Sequence, residues 1–187
     1  MSVKEEVELR LQLVESEAAK LLELVRAQPS VQETHQLDLY FDTADRTWTS
    51  TDPVRRWLRM RTTNRGAQIN LKTFTYSAGG DTTGAEEVEF EINDADAGLH
   101  FLQTLGYEQV VSVSKVRVSA QFDGIEVAVD RVENLGLYAE IEALDLTGTY
   151  NEILESLKKF VTSLGIEVRT TDKRGYPYAL LKKRAAK

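Results

Sequence analysis

The chain has 187 residues, of which 42% are hydrophobic and 28% charged, ordinary values for a globular protein able to bury a core without covalent staples. It contains no cysteine, which excludes disulfides, thiolate metal sites and cysteine nucleophiles. A net charge of −7 argues against nucleic acid as a partner, since that binding needs a basic footprint, but a local basic cluster in an acidic protein can still hold a small polyanion. No apolar run approaches the roughly 18 residues of a membrane span. The start, MSVKEEVELR, has no apolar stretch after its basic residue, so no signal peptide and no membrane are expected. The expectation is a cytoplasmic protein with a single domain over 1–187.

Alternation predicts a strand over 3–13. A helix follows over 14–27, with Leu21, Leu22 and Val25 on one side and Pro29 beyond its end. Further strands are predicted over 36–42, 54–62, 67–76 and 86–92, with a turn at 64–66 and a loop over 77–84. A helix over 94–106 has an Asp start and a closing Gly106. A long strand over 110–122 meets Asp123-Gly124, a tight hairpin signal, and pairs back through 125–132. After ENLG comes an eighth strand over 137–144. An amphipathic helix over 151–165 has Asn151 as its candidate cap, and a last helix lies near YALLKKR. Strands joined in succession by short turns predict an antiparallel sheet in an α+β protein. Eight strands suffice to close a β-barrel with a usable interior.

Side chains alternate across a strand. One phase of these strands is mostly apolar. The other collects Glu6, Glu8 and Arg10; Trp57, Arg59 and Arg61; Lys72; Glu87 and Glu89; Lys115 and Arg117; Asp130; and Glu140 and Glu142. A solvated sheet face accounts for such a pattern without any ligand. Its dominance by Arg and Glu, with basic and acidic strands segregated, points instead to a site. If the charged faces line one cavity, Arg59, Arg61, Lys72, Lys115 and Arg117 can clamp a polyphosphate. Glu6, Glu8, Glu140, Glu142 and Asp130 then offer the hard oxygen ligands that Mg²⁺ or Mn²⁺ requires.

Glu6-Val-Glu8-Leu-Arg10 resembles the Glu-x-Glu-x-Lys signature of the CYTH superfamily, the triphosphate tunnel metalloenzymes. DLYFDT, WLRMR, Lys72, EEVEFEI, SKVRV and DRVENLGLYAEIE follow in the family's order, so the likeness covers nearly the whole chain. The resemblance implies an eight-stranded antiparallel closed tunnel with a charged lumen that includes Glu87 and Glu89. It implies a divalent metal, Mg or Mn, on Glu6, Glu8, Asp130, Glu140 and Glu142. Triphosphate would be bound by Arg10, Arg59, Arg61, Lys72, Lys115 and Arg117, with Glu6, Glu8, Arg10 and Lys72 in catalytic roles. Arg10 stands where the family usually has Lys; it stays protonated and cannot act as a general base.

The leading expectation is a class IV adenylyl cyclase-like enzyme converting ATP to cyclic AMP and pyrophosphate. The alternatives are a triphosphatase acting on thiamine triphosphate, nucleoside triphosphate or inorganic triphosphate, and a protein that binds polyphosphate without turnover. Trp57 either stacks on the organic part of a substrate or packs against a neighbouring element. His35 and His100 have no partner at ligand spacing. Such chains can pair into a homodimer through outer strands or helices.

Overall fold

The computed structural model describes residues 4–5, 7–51, 53–76, 82–169 and 174–185. Every predicted strand and helix is present among them. The first predicted strand is divided into β1 (Lys4–Glu5) and β2 (Glu8–Gln12). The others are β3 (Gln32–Thr43), β4 (Arg56–Thr63), β5 (Gly66–Tyr76), β6 (Thr82–Ile92), β7 (Tyr107–Phe122), β8 (Ile125–Val132) and β9 (Gly136–Ala143). The helices are α1 (Glu15–Arg26), α2 (Ala95–Thr104), α3 (Tyr150–Ser163) and α4 (Gly175–Ala185). β6 already begins at Thr82, within the span predicted as a loop over 77–84; residues 77–81 lie outside the described set.

The chain forms two compact units: 1–5, 35–114 and 174–187 in the first, and 6–34 with 115–173 in the second. In the first unit β3 pairs with β4, β4 with β5, β5 with β6 and β6 with β1, all antiparallel. In the second, β7 pairs with β8, β8 with β9 and β9 with β2, again all antiparallel. The expected antiparallel α+β class is therefore what the chain adopts.

In the second unit the apolar phase of the strands forms the core. Leu9, Leu11, Val118, Val127, Val129, Ala139 and Ile141 pack with Leu21 and Val25 of α1 and with Ile153, Leu157 and Val161 of α3. The helical residues recur at four-residue intervals, which puts them on one stripe of each helix. In the first unit Phe41, Leu58, Met60 and Ile69 are covered by Leu102 of α2. Each sheet face opposite these helices carries the charged phase.

Local signals set the boundaries. Asp94 caps α2 by accepting from the Ala97 amide at 2.9 Å. At α3 the cap is Thr149 and not Asn151: the Thr149 amide donates to Glu152 at 2.9 Å, and the Glu152 amide donates back to the Thr149 hydroxyl. This reciprocal box satisfies two otherwise unpaired amides and so displaces the start by two residues. The Asp123-Gly124 hairpin has positive φ at both positions, 33° and 80°, the backbone of a tight turn matched to strand twist. No helix among the described residues is long and apolar enough to cross a membrane.

Leu157 is fully buried between α3 and the sheet. Leu157→Ala should lower stability by about 3 kcal/mol through lost transfer energy and a residual cavity. Urea denaturation followed by circular dichroism reads this directly, and a loss under about 1 kcal/mol would contradict the packing described.

Candidate functional site

The charged phase of the second unit is not a solvated face. Asp130 on β8 is 0% exposed, and the Lys115 side chain on β7 only 2%. Isolated burial of either would be prohibitive, so each needs an ion partner. Lys115 Nζ lies 3.0 Å from Asp130 Oδ2, while Arg117 donates to both carboxylate oxygens of Asp130, each at 2.7 Å. Arg117 also donates to Glu140 on β9. From β2, Arg10 Nε donates to Glu140 Oε1 at 2.7 Å and Arg10 Nη2 to Glu8 Oε1 at 3.0 Å. Lys115, Arg117 and Arg10 thus interleave with Asp130, Glu140 and Glu8.

Register explains the interleaving. Arg117 stands opposite Asp130, and Arg10 opposite Glu140. The basic residues of β7 meet the acidic residue of β8 and, across it, Glu140 of β9, while β2 brings Arg10 against Glu140 from the other side. Burial by itself would raise the Glu140 carboxyl, but Arg117, Arg10 and Lys115 hold it well below the usual carboxylate range. Asp130 behaves likewise: burial pushes it up, Arg117 and Lys115 bring it below its ordinary value, and the Glu140 charge opposes them.

The first unit builds a second charged face from β3 to β6. Asp38 is 1% exposed and accepts a two-pronged bond from Arg61, at 2.6 and 2.7 Å. Lys72 Nζ lies 2.7 Å from Glu87, and the Asn70 amide reaches Glu87 at 2.9 Å. Arg59 approaches Glu89 at 3.4 Å, and Gln68 donates to Glu89 at 2.7 Å. Burial raises the Glu87 carboxyl, and the Lys72 charge and hydrogen bonds more than offset that, leaving it below its ordinary value. Tyr40, buried beside Asp38, is pushed up to about 12 mainly by burial, so its hydroxyl stays protonated.

Of the predicted residues, Glu8, Arg10, Lys115, Arg117, Asp130 and Glu140 come together in one network. Arg59, Arg61, Lys72, Glu87 and Glu89 share the charged face of the first unit. Glu142 stands directly opposite Glu8. Glu6 lies outside the described residues. Trp57 needs correction: it is 4% exposed, packs edge-on against Tyr40 with ring centres 5.5 Å apart, and donates its indole N–H to the Arg174 carbonyl at 3.0 Å. With its ring enclosed and its donor used, it is a packing residue and offers no open face to a substrate. His35 and His100 are both exposed and away from these networks.

Asp38 was not anticipated. It belongs to the alternating set Gln36, Asp38, Tyr40, Asp42 on β3, and sorting that strand by phase exposes it. Asp42, fully buried, organises the following turn by accepting from the Thr43 and Thr49 amides at 2.7 and 2.9 Å.

Among the described residues no three acidic or histidine side chains converge into a ready metal cage. Asp130 is committed to Lys115 and Arg117, and Glu140 to Arg10 and Arg117. The donor chemistry nonetheless fits a hard divalent cation. Glu8 faces Glu142, which faces Glu126 on β8, and carboxylate oxygens are the ligands such a cation takes.

Residues 4–176 match the CYTH domain model. The chain belongs to the CYTH family. A protein of Methanocaldococcus jannaschii named "Putative adenylate cyclase" is 26% identical over 154 residues, 78% of this chain and 81% of that one. Among solved structures, the PH1819 protein of Pyrococcus horikoshii aligns with a TM-score of 0.75 at 29% identity, covering 96% of this chain and 99% of that one. A "Putative adenylyl cyclase" from Hippeastrum, described as having a dominant triphosphatase activity, aligns with a TM-score of 0.72 at 20% identity, covering 97% and 96%; at that identity it shows the shared fold alone.

Asp130→Ala would leave the Lys115 ammonium buried without its carboxylate. It should cost about 3–5 kcal/mol, as breaking one side of a buried pair does, measured by urea denaturation. Carboxyls depressed by folding stabilise the protein above their unfolded pKa and lose that contribution as pH falls through the depressed values. The melting temperature should therefore hold down to about pH 5 and fall steadily below about pH 4, less steeply in Glu140→Gln. A melting temperature that rises below that range would contradict the assignment.

Proposed function

We propose that this CYTH chain is a divalent-metal-dependent enzyme of triphosphates, of the class IV adenylyl cyclase type, converting ATP to cyclic AMP and pyrophosphate within one domain over 1–187. The observation that carries the reading is the desolvated, fully paired set of Arg10, Lys115 and Arg117 with Glu8, Asp130 and Glu140. Surface ion pairs contribute little to stability, and buried ones rarely exceed their desolvation cost. So many pairs on one face are better explained by a ligand whose charges they can exchange with.

In this reading Arg59, Arg61 and Lys72 in the first unit, and Lys115 and Arg117 in the second, each offer donors suited to triphosphate oxygens. Asp38 holds the Arg61 guanidinium in a plane suited to two-pronged phosphate contact. Lys72, ion-paired to Glu87, supplies a fixed positive charge where charge builds on the transferred group. Arg10 stabilises charge and takes no proton. Glu8, Glu140 and Glu142, with Glu6, would hold Mg²⁺ or Mn²⁺, which would supply charge neutralisation for the phosphate oxygens. In the cyclase reaction the ribose 3′-hydroxyl attacks the α-phosphorus, the bond to the β-phosphate oxygen breaks and pyrophosphate leaves; the hydroxyl proton passes to solvent. The name of the Methanocaldococcus jannaschii relative supports this choice.

The second reading is a triphosphatase, in which water attacks a terminal phosphorus instead. The absence of an open aromatic face at Trp57 favours it, since the described residues of that strand then offer nothing that reads a base by stacking. The Hippeastrum protein, a "Putative adenylyl cyclase" with a dominant triphosphatase activity, is in keeping with this second reading.

Incubation with Mn²⁺ or Mg²⁺ and, in parallel, ATP, thiamine triphosphate and inorganic triphosphate, resolving all products, tests this. Cyclic AMP with pyrophosphate is expected, and a Glu8→Ala, Glu140→Ala double variant should lose about 10²-fold or more. Phosphate release without cyclic product would establish the triphosphatase. Metal-dependent triphosphate binding without turnover would leave a binding protein.

A further inference from the structure

The way Arg10 is held distinguishes it from a simple phosphate ligand. Its guanidinium spans two strands: Nε reaches Glu140 Oε1 on β9 at 2.7 Å, and Nη2 reaches Glu8 Oε1 on β2 at 3.0 Å. All three side chains are largely buried, at 12%, 14% and 28% exposure. Glu8 and Glu140 are also two of the carboxylates that the proposed function assigns to the metal. A guanidinium and a divalent cation cannot both sit close to the same two carboxylate oxygens, because the cations repel strongly where solvent screening is weak. Arg117, by contrast, is anchored on Asp130, which is 0% exposed and has no solvated alternative. Arg10 is therefore the group placed to exchange.

The planar fork matters. Arginine presents several donors in fixed geometry and can bridge two carboxylates on neighbouring strands at once. A lysine at this position brings the same charge as one point on a flexible stem, and is suited to one carboxylate at a time.

We propose that Arg10 is an internal competitor of the metal. Its guanidinium occupies Glu8 and the Oε1 oxygen of Glu140 until a triphosphate draws it onto phosphate oxygens, which frees the Glu8 carboxylate and that one oxygen of Glu140 for the cation, Arg117 keeping the other. Metal and triphosphate then bind with positive coupling, and by linkage each raises the affinity of the other by the same factor. The proposal rests on the metal-and-triphosphate reading above, but its test reads affinity and not turnover.

The test is the Mn²⁺ affinity of the full chain without any phosphate, measured by electron paramagnetic resonance of free Mn²⁺. Wild type is compared with Arg10→Lys, Arg10→Gln and, as a remote control, Arg26→Gln on the exposed side of α1. Removing the fork should raise Mn²⁺ affinity about fivefold or more in both Arg10 variants, the low end of ordinary inter-site coupling, and leave the control unchanged. A rise in Arg10→Gln with Arg10→Lys at the wild-type value would mean that charge alone acts, and would overturn the bridging role. Unchanged or weaker binding in both, or no Mn²⁺ binding by any form, would overturn the proposal outright. If Arg10→Gln fails to fold, the charge-conserving Arg10→Lys decides alone. Absence of turnover on every triphosphate would sink the catalytic reading and leave this result standing.

Discussion

A carboxylate with no access to water has to find its positive charge within hydrogen-bond reach, and the charged faces of this protein follow from that constraint. Asp130 states it most sharply. It is 0% exposed, so Lys115 and Arg117 must both close on it. Arg117 then carries the constraint to Glu140, Glu140 to Arg10, and Arg10 to Glu8. The chain of pairs crosses β7, β8, β9 and β2 in the order in which they are hydrogen-bonded. Backbone register and side-chain charge therefore specify each other: a slip of one residue in any of these strands would turn its charged phase under the helices.

Such a network is a poor way to gain stability, since apolar residues of similar volume would serve as well or better. Under the proposed function its value would lie in exchange. Cations already desolvated and oriented lose little further entropy when phosphate oxygens replace carboxylates, and the displaced carboxylates are themselves suited to a hard metal. The same logic holds on β3 to β6 of the first unit, where Asp38 fixes Arg61 and Glu87 fixes Lys72. Two units of different composition thus use one device. The helices α1, α2 and α3 cover the opposite, apolar phases and keep the strands in place.

Much of this was legible in the sequence. Alternation places every strand, and the split into an apolar and a charged phase survives intact, because a period of two leaves a strand little choice once one face is buried. The Arg and Glu residues that matter are recognisable by phase. Partnership was not legible: that Arg117 meets Asp130 and Arg10 meets Glu140 depends on register and strand order, which single strands do not encode. Trp57 illustrates the limit from the other side. It shares the phase of Arg59 and Arg61, yet it is enclosed by Tyr40 and the start of α4, a tertiary contact more than one hundred residues away in sequence. Asp38 lay on a strand whose apolar residues dominate the eye, and Thr149 displaced the expected cap because its reciprocal bond with Glu152 outweighs a lone Asn.

These internal ion pairs are proposed to form a site whose cations change partner, as opposed to a fixed scaffold. The most direct measurement is the set of arginine Nε–Hε resonances, recorded by nitrogen-edited NMR before and after adding inorganic triphosphate with Mg²⁺. The signals of Arg10, Arg59 and Arg61 are expected to move, while those of the surface residues Arg26 and Arg184 stay where they are. Movement confined to surface arginines, or no movement at saturating triphosphate, would contradict it and make the paired face a structural one.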